Sequence, residues 1–301
     1  MRLESYNHHM SCYESNPNID AQIEAFSTEL RAGIECGNLS FPTCFDLSLR
    51  IQRIADDPNA TIDAFATAVK SEPVLSAKLL RLANSPLMNS SNRHIVDVKK
   101  AVTKVGLVTL RMLAFSVATE QLSREVRSPH MKMLARSVWV HSIDVASWSY
   151  AFAKHLPSAS SDKAMLAAML SQIGKFYLIA FAHRCPAFED DQERFAQFVA
   201  LWDLPIRIPL LGAFRLPVPL IEASVSSLEC CSQWPPKSMS DILAIANMAA
   251  TTADPLGHLL GLKCDRNQIE TVLGSDAKAA FDHLCEEAAA EREAIISVLS
   301  G

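Results

Sequence analysis

Apolar residues recur at helical spacing along this chain, and each run is cut off by a proline, a glycine or an asparagine turn. That punctuation constrains the fold more than any other feature. The sharpest instance is Leu79-Leu80-Arg81-Leu82-Ala83-Asn84-Ser85-Pro86, followed by Val102-Thr103-Lys104-Val105-Gly106. Leu75, Leu79 and Leu82 form the inner stripe of a helix opened by Glu72-Pro73, where the missing proline N–H costs nothing. Asn84 is expected in the left-handed position at its end, and Pro86 prevents continuation. No stretch shows strand-like alternation, and nine glycines are few for the many tight turns of an all-β fold. The expectation is an all-α protein.

The same reading orders the chain. Residues 1–18 read as a mobile tail. Asn18 or Asp20 caps a first helix carrying Ile23, Phe26, Leu30 and Ile34, and Phe41-Pro42 opens a second that ends at Asp57-Pro58-Asn59. Thr61 is an N-cap for a short third helix. After Gly106 one more apolar helix spans 107–122, and the charged segment Arg124 to His130 reads as a hinge. Longer helices follow, from about Met131 to His155 and from Asp162 to about Ala182. Pro205, Pro209, Pro217, Pro219, Pro235 and Pro236 are expected to fragment the next region. Ser240 caps a further helix, and a last one runs from about Ser275 to Leu299.

Composition excludes several classes. A net charge of −5 without blocks of one sign gives no footprint for nucleic acid. The polar start has no apolar signal core, and no uninterrupted apolar run approaches the roughly 20 residues of a membrane span. Eight scattered cysteines without a Cys-x-x-Cys pair read as reduced thiols of a cytoplasmic protein. Gly-rich phosphate loops, Gly-x-Ser-x-Gly and His-Glu-x-x-His are absent.

Two later segments carry the remaining signal: Trp139-Val140-His141-Ser142, and Ala168-Met169-Leu170-Ser171-Gln172-Ile173-Gly174-Lys175. With the Asn84-Ser85 turn and the Val105-Gly106 step, their order and spacing resemble the HDOD family, bacterial signalling relatives of HD-type phosphohydrolases. The resemblance implies two helical lobes, a smaller one near 20–125 and an HD-like one from about 131. It covers an HDOD domain of about 35–240, with residues 240–301 completing the HD-like lobe.

The departures from the family's ancestral chemistry are as informative as the matches. HD enzymes hold divalent metal with imidazoles and carboxylates, and the metal activates water against a phosphoester. Here the His-Asp pair is replaced by Ser171-Gln172, and a later aspartate aligns near Asn247. His141 is the one remaining ligand type, and no histidine lies between His183 and His258. Metal sites take three or four protein ligands, so neither a metal nor a cofactor is expected. His141 then reads as a hydrogen-bonded helix histidine, with Asp144 as a candidate partner.

The resemblance points to a non-enzymatic signal-transduction module acting through protein partners such as a kinase, cyclase or regulator, without nucleic acid or membrane. Asn84, Ser85, Trp202 and Trp234 are the candidate partner surface, although capping alone accounts for Asn84 and burial for the tryptophans. Met165 and Met169 read as core. Two other readings remain open. A metal-dependent phosphohydrolase would need a rearranged ligand set such as His141, Asp144, His183 and Glu229. A nucleotide sensor without turnover would use Arg81, Lys104, Lys175 or Arg184.

Overall fold

A computed structural model describes residues 17–37, 39, 42–86, 88–89, 94–157, 159–226, 233–262, 266, 269–271 and 274–300. Apart from its last two positions, the expected N-terminal tail lies outside them. Among the described residues every regular element is helical. The first six helices are α1 (Pro17–Glu35), α2 (Asp46–Asp56), α3 (Ile62–Lys70), α4 (Pro73–Asn84), α5 (Val98–Val105) and α6 (Leu107–Glu125). Then come α7 (Pro129–His155), α8 (Ser161–Leu170), α9 (Ile173–Phe181), α10 (Ala187–Asp190) and α11 (Gln192–Ala213). The last four are α12 (Val218–Ser226), α13 (Met239–Ala249), α14 (Pro255–Leu259) and α15 (Ser275–Ser300).

Local chemistry sets many of the boundaries. Thr61 accepts the Ala64 N–H and starts α3, and Pro73 is the first residue of α4. Gly106 has φ +82°, a conformation glycine adopts without strain, and there the chain bends by 111° from α5 into α6. Asn84 behaves differently from the expectation. It is the last helical residue and its φ is not positive. Its side-chain amide donates to the Leu80 and Ile95 carbonyls, while its carbonyl oxygen accepts the Ile95 N–H. The side chain ties the helix end to the strap beyond it, so no left-handed turn is needed.

Helix α7 lies at the centre. From His141 to Ala153 every residue is buried, as expected for a helix covered on all sides. Its serines are tolerated there because Ser142, Ser147 and Ser149 each donate to the carbonyl four residues back. Around it pack α6, α8, α13 and α15. Met165 and Met169 of α8 are fully buried. Helix α15 reaches past α7 to α4, where buried Lys78 donates to the Leu299 carbonyl at 2.5 Å and Arg81 to Ser297 at 3.4 Å. Both cations sit at the negative end of α15, where a positive charge is stabilising. Helix α1 packs on α10 and α11, with Phe26 stacked on Phe198 at 5.4 Å. Buried apolar residues from Phe26 to Leu299 form one continuous cluster.

Two expectations about helix continuity are corrected. The segment after Asp162 is not one helix: it stops at Leu170, turns through Ser171 and Gln172, and restarts as α9. Conversely, α11 runs unbroken through Pro205 and Pro209. The carbonyls those prolines leave without a helical donor belong to Leu201 and Pro205, both exposed, so water can serve them. Buried Arg207 pairs with Asp203 one turn back and donates to the Ser224 carbonyl at 3.0 Å, pinning this stretch to α12.

Membrane-span length is also corrected. The helical run Ser161–Arg184 and helix α11 are long and apolar enough to cross a membrane by length and composition. Eighty-nine per cent of the first window is buried inside the protein, so packing accounts for its apolarity. Among the described cysteines, Cys36, Cys44, Cys185 and Cys285 are free.

Candidate functional site

Three segments converge beside the middle of α7: the Ser171-Gln172 turn with α9, the end of α13, and the loop from Ala250 to Asp254. Gly174 makes the first approach possible. A methyl group there would overlap the Asp203 side chain and lie 2.6 Å from the Asp203 carbonyl oxygen, so only glycine lets α9 sit this close to α11.

The positions expected from sequence meet here. His141, Ser171, Gln172 and Asn247 line one cavity with Lys175 and Asp254, walled by Val145 and Leu243. Its volume is about 20 Å³, room for a single water. A nucleotide needs a space more than ten times larger, so the cavity as built does not admit the ligand of the sensor reading.

His141 is buried, and its Nδ1 lies 2.7 Å from the Thr252 carbonyl. A carbonyl only accepts, so Nδ1 carries the proton and Nε2 is left as the bare nitrogen. Burial pushes the His141 pKa below the usual histidine value; the Asp254 charge opposes this and the Lys175 charge adds to it. The ring is neutral near pH 7.

Asp144, the candidate partner of His141, is committed elsewhere. One oxygen accepts from the N–H and hydroxyl of both Thr251 and Thr252 at 2.8–3.0 Å. The other accepts from Arg292 Nε at 3.0 Å and Nη2 at 2.7 Å. Burial alone would raise its pKa, but the Arg292 hydrogen bonds and the loop donors outweigh that and hold it below the ordinary value. Arg292 itself lies over the Trp148 ring, 5.1 Å from its centroid. Asp144 is the anchor that holds the 251–254 loop against α7.

The internal cation of the site is Lys175. Its Nζ donates to Asp254 Oδ2 at 2.8 Å. Burial works against the Asp254 charge, yet the Lys175 ammonium, followed by His141, holds its pKa at about 2. Asp254 also caps α14 through the Leu256 N–H at 3.3 Å. Sequence reasoning missed Asp254. The Asp254-Pro255 pair signals a helix start, but nothing local ties it to a lysine on another helix.

This donor set does not fit a divalent ion. It offers one imidazole nitrogen, one carboxylate already neutralised by an ammonium group, and neutral amide oxygen such as Gln172 Oε1, which is buried without a partner. Ser171 spends its hydroxyl on the Ala168 carbonyl at 2.7 Å, and Gln172 donates to Ser171 at 3.2 Å. Among the described residues no three His, Cys, Asp or Glu side chains are grouped as metal ligands. His183 lies at the protein surface beyond α9, its Nδ1 3.0 Å from the Ala180 carbonyl, and Glu229 lies outside the described residues.

The other expected positions do not assemble. Arg81 binds the end of α15, Lys104 donates to Asn89 at 3.2 Å, and Arg184 pairs with Glu29, each in a different place. None of the residues expected at a partner surface is exposed. Asn84 is half-buried and occupied as a helix tie. Ser85 is buried and donates to the Leu82 carbonyl at 2.8 Å. Trp202 is half-buried under Arg31 at 5.8 Å, and Trp234 packs edge-on against Phe281 at 6.2 Å. Large rings at these places serve the core first.

Comparison with solved structures shows a shared all-α fold. One similar structure, from Shewanella amazonensis SB2B, is of a protein provisionally named a metal-dependent phosphohydrolase. It aligns at TM-score 0.61 and 22% identity, over 90% of this chain and 99% of the other. A second is an HDOD domain protein with unknown function from Geobacter sulfurreducens, at TM-score 0.53 and 22% identity, over 90% and 97%. A third, provisionally named a signal transduction protein, comes from Marinobacter aquaeolei VT8. It aligns at TM-score 0.50 and 18% identity, over 93% and 66%. No curated protein matches the chain. Residues 41–194, about half of the sequence and including the Asn84-Ser85 turn, His141 and Ser171-Gln172, match the HDOD domain, and the chain belongs to that family.

Proposed function

We propose that this protein is a non-enzymatic signalling module that works by binding protein partners. The observation that carries the reading is the Lys175–Asp254 ion pair beside a neutral His141, in the place where an HD enzyme would hold metal. An internal ammonium there repels a divalent ion and occupies the one free carboxylate. The cavity has room for about one water, too little for a phosphoester. What is left is a rigid helical scaffold. We read it as two lobes, a smaller one near 20–125 and an HD-like one from about 131, with α6 packed against helices of both and α1 reaching over to α10 and α11.

The partner class that fits an HDOD scaffold is a signalling protein: a kinase, a cyclase or a regulator. The solved relative named as a signal transduction protein is consistent with that class, although its likeness supports the fold alone. The phosphohydrolase reading is supported by the name of another relative, and no ligand set for it is grouped among the described residues.

Affinity purification of the full chain, with recombination of the purified pair, tests the proposal. The expected result is saturable binding to a kinase, cyclase or regulator that is unaffected by a chelator. Hydrolysis of a phosphodiester that requires added Mn²⁺ and disappears in His141→Ala would overturn it.

A further inference from the structure

Arg215 stands two residues past the end of α11 in a left-handed conformation, φ +44°, with its N–H on the Gly212 carbonyl at 3.0 Å. Glycine is the usual residue at such a helix end, because a side chain there costs about 1 kcal/mol. Among the described residues this is the one non-glycine position with positive φ. Backbone strain of this kind gathers at binding sites, and Arg215 borders a cavity.

That cavity has a volume of about 340 Å³, within the range of small-ligand sites. Leu49, Gln52, Arg53 and Asp56 of α2 line one side, and Ala213 and Arg215 the other. The Arg215 side chain is 76% exposed and 3.9 Å from Asp56, too far for a hydrogen bond. Arg53 is exposed too, and its Nε reaches only the Leu49 carbonyl at 3.4 Å. Asp56 accepts from Gln52 Nε2 at 2.8 Å, while Gln52 Oε1 is buried without a partner. Behind it on α6, Arg111 feels the Asp56 charge, and its Nε is also buried without a partner. Guanidinium groups therefore outnumber the carboxylate here, in a chain whose net charge is −5.

We propose that this cavity binds a small doubly charged oxyanion, phosphoryl or dicarboxylate, gripped between Arg53 and Arg215. Guanidinium forks match such groups two bonds at a time. Asp56 steadies Arg215 while the site is open, and the ligand takes over that role. The cavity shares no lining residue with the one around His141, so the two sites stand or fall separately.

Titration calorimetry on the full chain at about pH 8 tests this, with inorganic phosphate as one probe and malonate as the other. At least one probe is expected to bind saturably at one site per chain, and which one binds identifies the chemistry. Arg53→Ala and Arg215→Gly should each weaken binding tenfold or more, and Arg136→Ala, at an exposed position near the start of α7, should leave it unchanged. Arg215→Gly should also melt at an equal or higher temperature, so lost binding is not lost folding. No saturable heat with either probe, or binding indifferent to Arg53→Ala and Arg215→Gly, would overturn the proposal.

Discussion

His141 and the Lys175–Asp254 pair sit side by side: burial keeps the first neutral, while the Lys175 ammonium keeps Asp254 ionised against its own burial. The His141 pKa is lowered in the folded chain, so its contribution to stability is complete above about 6.5 and is lost as pH falls below that value. Asp254 contributes in a lower window, complete above about 3.8 and lost as pH falls toward about 2. Melting temperature should therefore drop between pH 7.5 and pH 5. His141→Asn, which keeps a donor for the Thr252 carbonyl, should flatten that slope; a slope unchanged in the variant would assign it to other groups. At Gly174 the constraint is steric. Gly174→Ala must push α9 off Asp203 and should cost about 2–3 kcal/mol in urea unfolding. A variant as stable as the parent would mean that the approach of α9 to α11 is looser than described.

At the scale of helices, the sequence was legible where the signal was local. The Thr61 cap, Pro73 and Gly106 act on their own neighbours, and α3, α4 and the α5–α6 corner appear where those residues put them. It was not legible where packing decides. Ser171-Gln172 contains no helix breaker, yet the chain turns there. Pro205 and Pro209 are breakers, yet α11 continues, and Leu201 and Pro205, whose carbonyls they leave without a helical donor, are exposed residues where water can serve. The site divided the same way. His141, Ser171, Gln172 and Asn247 were marked by their family positions and Asp144 as a partner for His141, whereas the partners Asp144 takes, Thr251, Thr252 and Arg292, and the lysine on α9 that brings in Asp254, all lie far away in the chain. The best-marked helix of the sequence, α4, proves to hold the far end of the chain. Lys78→Met removes the charge that meets the Leu299 carbonyl and pairs with Glu120 at 3.3 Å. The expected cost is about 3 kcal/mol, with faster amide exchange in the last turns of α15. Unchanged exchange there would show that α15 docks through its apolar face alone.

Across the whole molecule, one continuous apolar core supports the cavity at His141. The scaffold is the HDOD fold, and we read the Lys175–Asp254 salt bridge beside His141 as standing where a metal-dependent relative would hold its ion. The Arg53–Arg215 cavity opens elsewhere on the surface, so anion binding there and metal binding at His141 are separate questions. Whether the His141 site holds metal is decided by the metal content of the protein, purified without a histidine tag and measured beside His141→Ala. Far less than one divalent ion per chain is expected in both proteins. One tightly held ion per chain, lost in His141→Ala, would contradict that expectation.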